Sequence, residues 1–160
     1  MKDFYLVNYS VKGIKSLDQL ISLSFYKKTI TRNIDTKGYN VKGIYGMNGA
    51  GKSAIITSVD ILRNLLNNTG YLNNPMVQQN LDAIINKMLR QLYIKVDFIV
   101  KINNRMVLLN YEIQLEKNNA DRYEIAFERL NAKKATSRSQ MENTIFEVLN
   151  GTVSRYIEEE

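Results

Sequence analysis

The chain has no cysteine, no histidine and no tryptophan, and only one proline. Without cysteine there is no disulfide framework and no thiolate metal site. Without histidine there is no imidazole base and no zinc-type centre. No apolar run approaches the roughly 18 residues of a membrane helix, and the opening Met1-Lys2-Asp3-Phe4-Tyr5 lacks the charged and then apolar plan of a secretory signal. The expectation is a soluble, cytoplasmic protein with no membrane partner. A content of 44% hydrophobic and 24% charged residues suits a chain that buries a core and excludes disorder. At 160 residues the length fits one domain or a piece of one.

Positive charge is in excess, and it is unevenly placed. Residues 1–57 carry nine Lys/Arg against three Asp/Glu, whereas residues 58–160 carry thirteen of each, so the whole net charge of +6 lies in the first third. A basic surface suits polyphosphate or nucleic-acid partners. An ordinary solvated lysine-rich surface explains it equally well, because no basic run is interleaved with aromatics.

That basic third contains Gly46-Met47-Asn48-Gly49-Ala50-Gly51-Lys52-Ser53, which fills every fixed position of GxxxxGK[ST]. Four fixed positions at average composition match by chance in roughly one of a couple of hundred chains of this length. The residue types follow from the chemistry of a phosphate cradle. Gly46, Gly49 and Gly51 let the backbone pass close to the phosphates, Lys52 places a point charge beside the β- and γ-phosphates, and the Ser53 hydroxyl ligates Mg²⁺. Met47, Asn48, Ala50 and Ala54 complete the expected cofactor-binding stretch, and Lys52 is its catalytic residue. ATP is preferred as the nucleotide because the guanine readers fail. Asp35-Thr36-Lys37-Gly38 matches DxxG but precedes the loop, and Asn86-Lys87-Met88-Leu89 ends in leucine where a guanine-binding aspartate belongs.

The flanking pattern sets the expected fold. Phe4 to Tyr9 reads as a strand, a second segment begins at Ser16-Leu17-Asp18-Gln19 and runs through Leu20, Ile21, Leu23 and Phe25, and the short Val41-Lys42-Gly43-Ile44-Tyr45 is placed to deliver Gly46 at a strand end. After the loop, Ile55, Val59, Leu62 and Leu66, widened by Ile56 and Leu65, predict one amphipathic helix. Asn74-Pro75 caps a second helix with Val77, Leu81, Ile84, Ile85 and Met88 on its apolar face. From Leu92 the period changes to two. Ile94, Val96, Phe98 and Val100 alternate with polar residues, and turns at Asn103-Asn104 and Asn118–Asp121 predict an antiparallel meander to Leu130. Asn150-Gly151 predicts a hairpin, with a helix over Ser139 to Leu149 as the competing reading. The expected fold class is α/β: a P-loop NTPase lobe of ABC-ATPase type with an antiparallel β-meander and two helices. It forms a single, partial ATP-binding domain over 1–160, divided as 1–70 (mixed sheet, phosphate loop and its helix), 71–91 (helix), 92–130 (meander) and 131–160 (loop and hairpin or helix).

Hydrolysis needs an acidic magnesium ligand and a group that orients water. Asp97, in Ile94-Lys95-Val96-Asp97-Phe98, is the nearest candidate, but Lys95 interrupts the apolar run and no Glu follows, so Asp97 reads as a solvent-facing strand residue. The closing Glu158-Glu159-Glu160 follows a hairpin and reads as a solvated end.

Asn8-Tyr9 with Lys12-Gly13-Ile14, the Asn48-Gly49-Ala50-Gly51-Lys52-Ser53 form of the loop, and the meander ending Glu128-Arg129-Leu130 together resemble the N-terminal half of ABC-architecture ATPases of the SMC-like and RecF-like kind. Members of that group are often called AAA family ATP-binding proteins, and it includes the ATPase parts of OLD-type nucleases and of prokaryotic defence systems. The resemblance implies that a basic residue after the first strand, Lys12 or else Lys15, approaches the nucleotide. It also implies a signature motif, an Asp-Glu strand end and a switch histidine, none of which this chain contains. The chain would then be half of a larger unit or a split subunit. Three activities are compatible with it. One is an Mg-ATPase lobe that turns over only with its missing half and a like or partner subunit, coupled to DNA or an effector. The others are a nucleotide-gated interaction module that never hydrolyses, and a small P-loop phosphotransferase, disfavoured because 45 residues precede Gly46.

Overall fold

Period-two alternation resolves into strands β1 (Phe4–Lys12), β2 (Ile21–Ser24), β3 (Gln91–Ile102), β4 (Arg105–Lys117), β5 (Tyr123–Lys134), β6 (Asn143–Leu149) and β7 (Thr152–Tyr156). They come from a computed structural model that describes residues 4–26, 41–47, 49, 51–102, 105–135 and 142–157. Among the described residues these strands form one sheet in the order β2-β1-β3-β4-β5-β6-β7, and every neighbouring pair is antiparallel. Two helices, α1 (Lys52–Asn67) and α2 (Pro75–Ile84), lie between β2 and β3 in the chain, separated by a 3₁₀ turn (Tyr71–Asn73).

The expected α/β class is therefore corrected. A P-loop lobe holds its phosphate loop between a sheet strand and a helix that crosses to a parallel neighbour. Here no parallel pair exists among the described residues, and 41–47 lies outside the sheet. The reason is local. Lys42 and Gly43 interrupt the five residues, Val41 and Tyr45 are 90% and 94% exposed, and the Lys42 ammonium donates to the Ser24 carbonyl at 2.6 Å. A glycine in so short a run leaves too little side chain to pack a strand against neighbours.

One face of the sheet carries the main core. Tyr9 and Val11 of β1, Leu92, Ile94 and Val96 of β3, and Tyr111, Ile113 and Leu115 of β4 meet Ala54, Ile55, Ile61 and Leu62 of α1 and Leu81 of α2. The apolar face of α1 is turned relative to the predicted stripe. Ala54, Ile55, Ser58, Ile61 and Leu62 are buried, whereas Ile56, Val59 and Leu66 are exposed. Burial of Ser58 is paired with a buried hydrogen bond at 2.8 Å to the Tyr9 hydroxyl, which locks the helix to β1. In α2 the Asn74 side chain accepts from the Met76 N–H at 2.9 Å and Pro75 occupies the first turn. Met88, given to the apolar face of α2 by the sequence, lies beyond its end and is 92% exposed.

The opposite face carries a small second core of Tyr5, Val7, Ile99 and Ala135 and, beside it, a polar row. Pairing aligns Ser10, Lys95, Glu112, Arg129, Glu147 and Arg155 in one row across six strands. Glu112 is buried between Lys95 (3.3 Å) and Arg129 (2.9 Å), and Arg129 also reaches Glu147 at 3.5 Å. Of the two readings of the last segment, the described residues form the hairpin. Asn150 and Gly151 have φ of 48° and 77°, the doubly positive turn that antiparallel strands favour. The expected features at Asp35–Gly38, Asn103-Asn104 and Glu158–Glu160, and the start of the competing helix at Ser139, fall outside the described residues.

Candidate functional site: the cleft at the start of α1

The helical pattern after Gly51 dictates where the site lies, because α1 begins at Lys52 and points its first turn at the glycine loop. Gly51 is the N-cap, with φ 85° and no side-chain cap, and no acidic residue occupies the first turn. Unpaired N–H groups and the helix dipole make such an end attractive to anions. Beyond its left-handed φ, Gly51 is closely approached from below. A Cβ there would lie 2.5 Å from Leu17 Cδ2, so the turn after β1 packs directly beneath the loop.

That turn brings a second set of groups to the same place. Lys15, Ser16, Gly49, Gly51, Lys52 and Ser53 line one cleft of about 510 Å³, and no carboxylate is among them. Ser16 Oγ donates to the Gly49 carbonyl at 3.5 Å. The Lys52 ammonium donates to the Gly46 carbonyl and, at 2.7 Å, to the Met47 carbonyl, bracing its own loop. An ammonium has three donors, so bracing with two does not exhaust it. Ser53 is exposed at the mouth, and its carbonyl accepts from Thr57 Oγ1 at 2.8 Å.

The structure sorts the sequence candidates unevenly. Gly49, Gly51, Lys52 and Ser53 come together, and Gly46 and Met47 join them through their carbonyls. Ala54 is fully buried in the core, and its N–H donates to the Gly51 carbonyl at 3.0 Å, so it closes the helix instead of facing the cleft. Asn48 and Ala50 lie outside the described residues. Of the two basic candidates, Lys15 in the turn after β1 lines the cleft, while Lys12, the last residue of β1, pairs in register with Tyr93 on the face away from α1. Ser16 was not singled out from the sequence; its only signal was adjacency to Lys15.

Asp97 lies on the face of the sheet away from α1, directly opposite Asn110 of β4, whose side-chain amide donates to it at 2.5 Å. It is a half-buried member of a polar row, not a solvent-facing residue, and it lies across the sheet from Ser53. Among the described residues no group of three or more acidic, histidine or cysteine side chains is disposed to hold a metal. A magnesium ion at this cleft would have Ser53 as its protein ligand and the phosphates and water as the rest.

Two other cavities hold lysines that are paired with carboxylates. A cavity of about 180 Å³ on the polar face is lined by Lys95, Asp97, Asn110, Asn131 and Lys133, but its two lysines are paired with Glu112 and Glu142. Beside α2, a cavity of about 290 Å³ holds Lys117, which pairs with Asp82 at 2.7 Å and Asp121 at 2.9 Å. The hydrogen bond from Lys117 holds the Asp82 carboxyl below its usual range.

No known family model matches this chain, and no curated protein matches its sequence. Among the described residues no helix is long and apolar enough to cross a membrane.

Proposed function

We propose that the cleft binds the phosphates of a nucleotide, Mg-ATP, between the start of α1 and the turn carrying Lys15 and Ser16. The observation that carries this reading is convergence. The GxxxxGK[ST] stretch, an uncapped helix N-terminus and a second lysine from a distant turn share one cleft with no carboxylate among its described lining residues. Two cations and a helix end favour a polyanion, and each is weak alone. ATP is chosen over GTP on the failed guanine motifs, and a nucleotide ligand suits a cytoplasmic setting. Kinship with ABC-architecture ATPases stands on the loop motif alone, without the lobe fold.

Binding without turnover is favoured for this chain by itself, because no acidic side chain reaches the cleft among the described residues. Hydrolysis would require a carboxylate from a like or partner subunit, with DNA or an effector as the coupled load. The test is calorimetric titration with Mg-ATP. Wild type binds, Lys52→Ala binds at least about tenfold more weakly, in line with the loss of one charged phosphate contact, and no phosphate is released over hours. Equal affinity in the two proteins would overturn the site.

A further inference from the structure

We propose that Asn86 is a positioning residue for this cleft: by tying the end of α2 to the turn after β1, it sets where Lys15 meets the phosphates. The inference rests on the nucleotide reading above.

The turn is gripped from two sides. On the loop side, Leu17 fills the space beneath Gly51 and Ser16 Oγ reaches the Gly49 carbonyl. On the other side the end of α2 and the chain just beyond it make three hydrogen bonds to it. The Lys15 N–H donates to the Ile84 carbonyl at 2.7 Å, the Asn86 N–H donates to the Gly13 carbonyl at 2.9 Å, and Asn86 Nδ2 donates to the Lys15 carbonyl at 3.0 Å. Lys15 has a φ of +50°, a left-handed backbone that residues with a side chain adopt uncommonly. Both peptide groups of Lys15 are therefore held by the end of α2, and no carboxylate among the described residues pairs with its ammonium.

Asn86 does two separable things. Its Oδ1 accepts from the Met88 and Leu89 N–H groups at 3.0 and 3.1 Å, closing the turn that follows α2, while its Nδ2 reaches Lys15. Aspartate keeps the acceptor and loses the donor, so Asn86→Asp preserves the turn and cuts the tie. A mobile Lys15 would lose orientation at a phosphate without losing its charge, and so binding would weaken without being abolished.

The experiment is calorimetric titration of Mg-ATP into wild type, Lys52→Ala, Asn86→Asp, Lys15→Ala and the double variant Lys15→Ala/Asn86→Asp, each with a thermal melt. Asn86→Asp is expected to raise the Kd about three- to tenfold, as the loss of one net hydrogen bond would, and to add nothing in the Lys15→Ala background. An unchanged Kd in Asn86→Asp overturns the proposal. So does a full, additive effect in the double variant, which would assign the loss to the new carboxylate charge and not to Lys15. Failure of wild type to bind, or equal binding by Lys52→Ala, instead overturns the nucleotide reading itself. If the aspartate variant melts below the titration temperature, Asn86→Ser gives the same comparison, because its shorter hydroxyl can cap the turn but cannot reach Lys15.

Discussion

Gly13 and Gly151 both have positive φ, 87° and 77°, yet they are glycine for different reasons. A Cβ on Gly13 would lie 1.9 Å from the Gln91 carbonyl oxygen, a backbone atom that cannot swing away, whereas at Gly151 nothing lies within 4 Å. Gly151→Ala should therefore cost only the backbone strain, about 1 kcal/mol, while Gly13→Ala should cost about 2–4 kcal/mol. Urea midpoints of the two variants check this, and equal losses would show that the close approach to β3 is unimportant. The sequence marked Asn150-Gly151 as a hairpin because that turn is coded by two adjacent residues. Nothing local marks the crowding at Gly13, because the strand that crowds it arrives from Gln91, far along the chain.

At the scale of elements, α1 shows how far local periodicity carries. Its existence and length were legible in the spacing of Ile55, Val59, Leu62 and Leu66, but not which side packs. Two apolar stripes compete on that helix, and the choice between them follows from Ser58 meeting Tyr9, a contact between residues 49 apart. Ile61→Ala should thus cost about 2–4 kcal/mol, as a core truncation does, while Ile56→Lys on the exposed side should stay within about 1 kcal/mol of wild type. Thermal melts of the pair test the assignment, and a larger loss for Ile56→Lys would return the helix to the predicted stripe. In β3 the alternation was read with the right faces, since Ile94 and Val96 are buried in the core while Tyr93 and Lys95 sit on the polar side. The strand expected at Val41–Tyr45 is missing because pattern alone gave it too few apolar side chains to hold a place against β1, whose long edge is taken by β3.

For the molecule as a whole, tyrosine burial sets a ceiling on alkaline stability. Burial pushes the Tyr9 hydroxyl up to about 12, and burial together with the neighbouring Glu112 pushes Tyr93 up to about 12. Tyr111 is raised further by burial and by its hydrogen bond to Glu128. Each folded value lies above the unfolded one, near 10, so the native state holds these protons more tightly. Their contribution is full below about pH 10 and is lost as the pH rises through 12. Urea midpoints should be flat from neutrality to about pH 10 and then fall. Tyr9→Phe should soften that fall by about 1–3 kcal/mol, with Ser58 still satisfied by the Ile55 carbonyl. A fall of wild-type steepness in Tyr9→Phe would refute the role given to Tyr9.

The candidate site divides in the same way. Its loop half, Gly46 to Ser53, was legible because phosphate chemistry fixes residue types at fixed spacing. Its other half was legible only at Lys15, through the family resemblance and as second choice to Lys12; Ser16 and Asn86 are ordinary residues made relevant by the packing of the turn after β1 against the loop and the end of α2.

The pairing of β1 with β3 also has a consequence for the newly made chain. The hairpins from β3 to β7 join consecutive strands and can close in about 1–10 μs each. β1 has only β2 beside it until Gln91–Ile102 is made, roughly 80 residues later, which at about 5–20 residues per second is roughly 4 to 16 seconds of synthesis. Throughout that interval one full edge of β1 is open to any passing strand, and the helix that begins at Lys52 is already complete before the sheet it rests on exists.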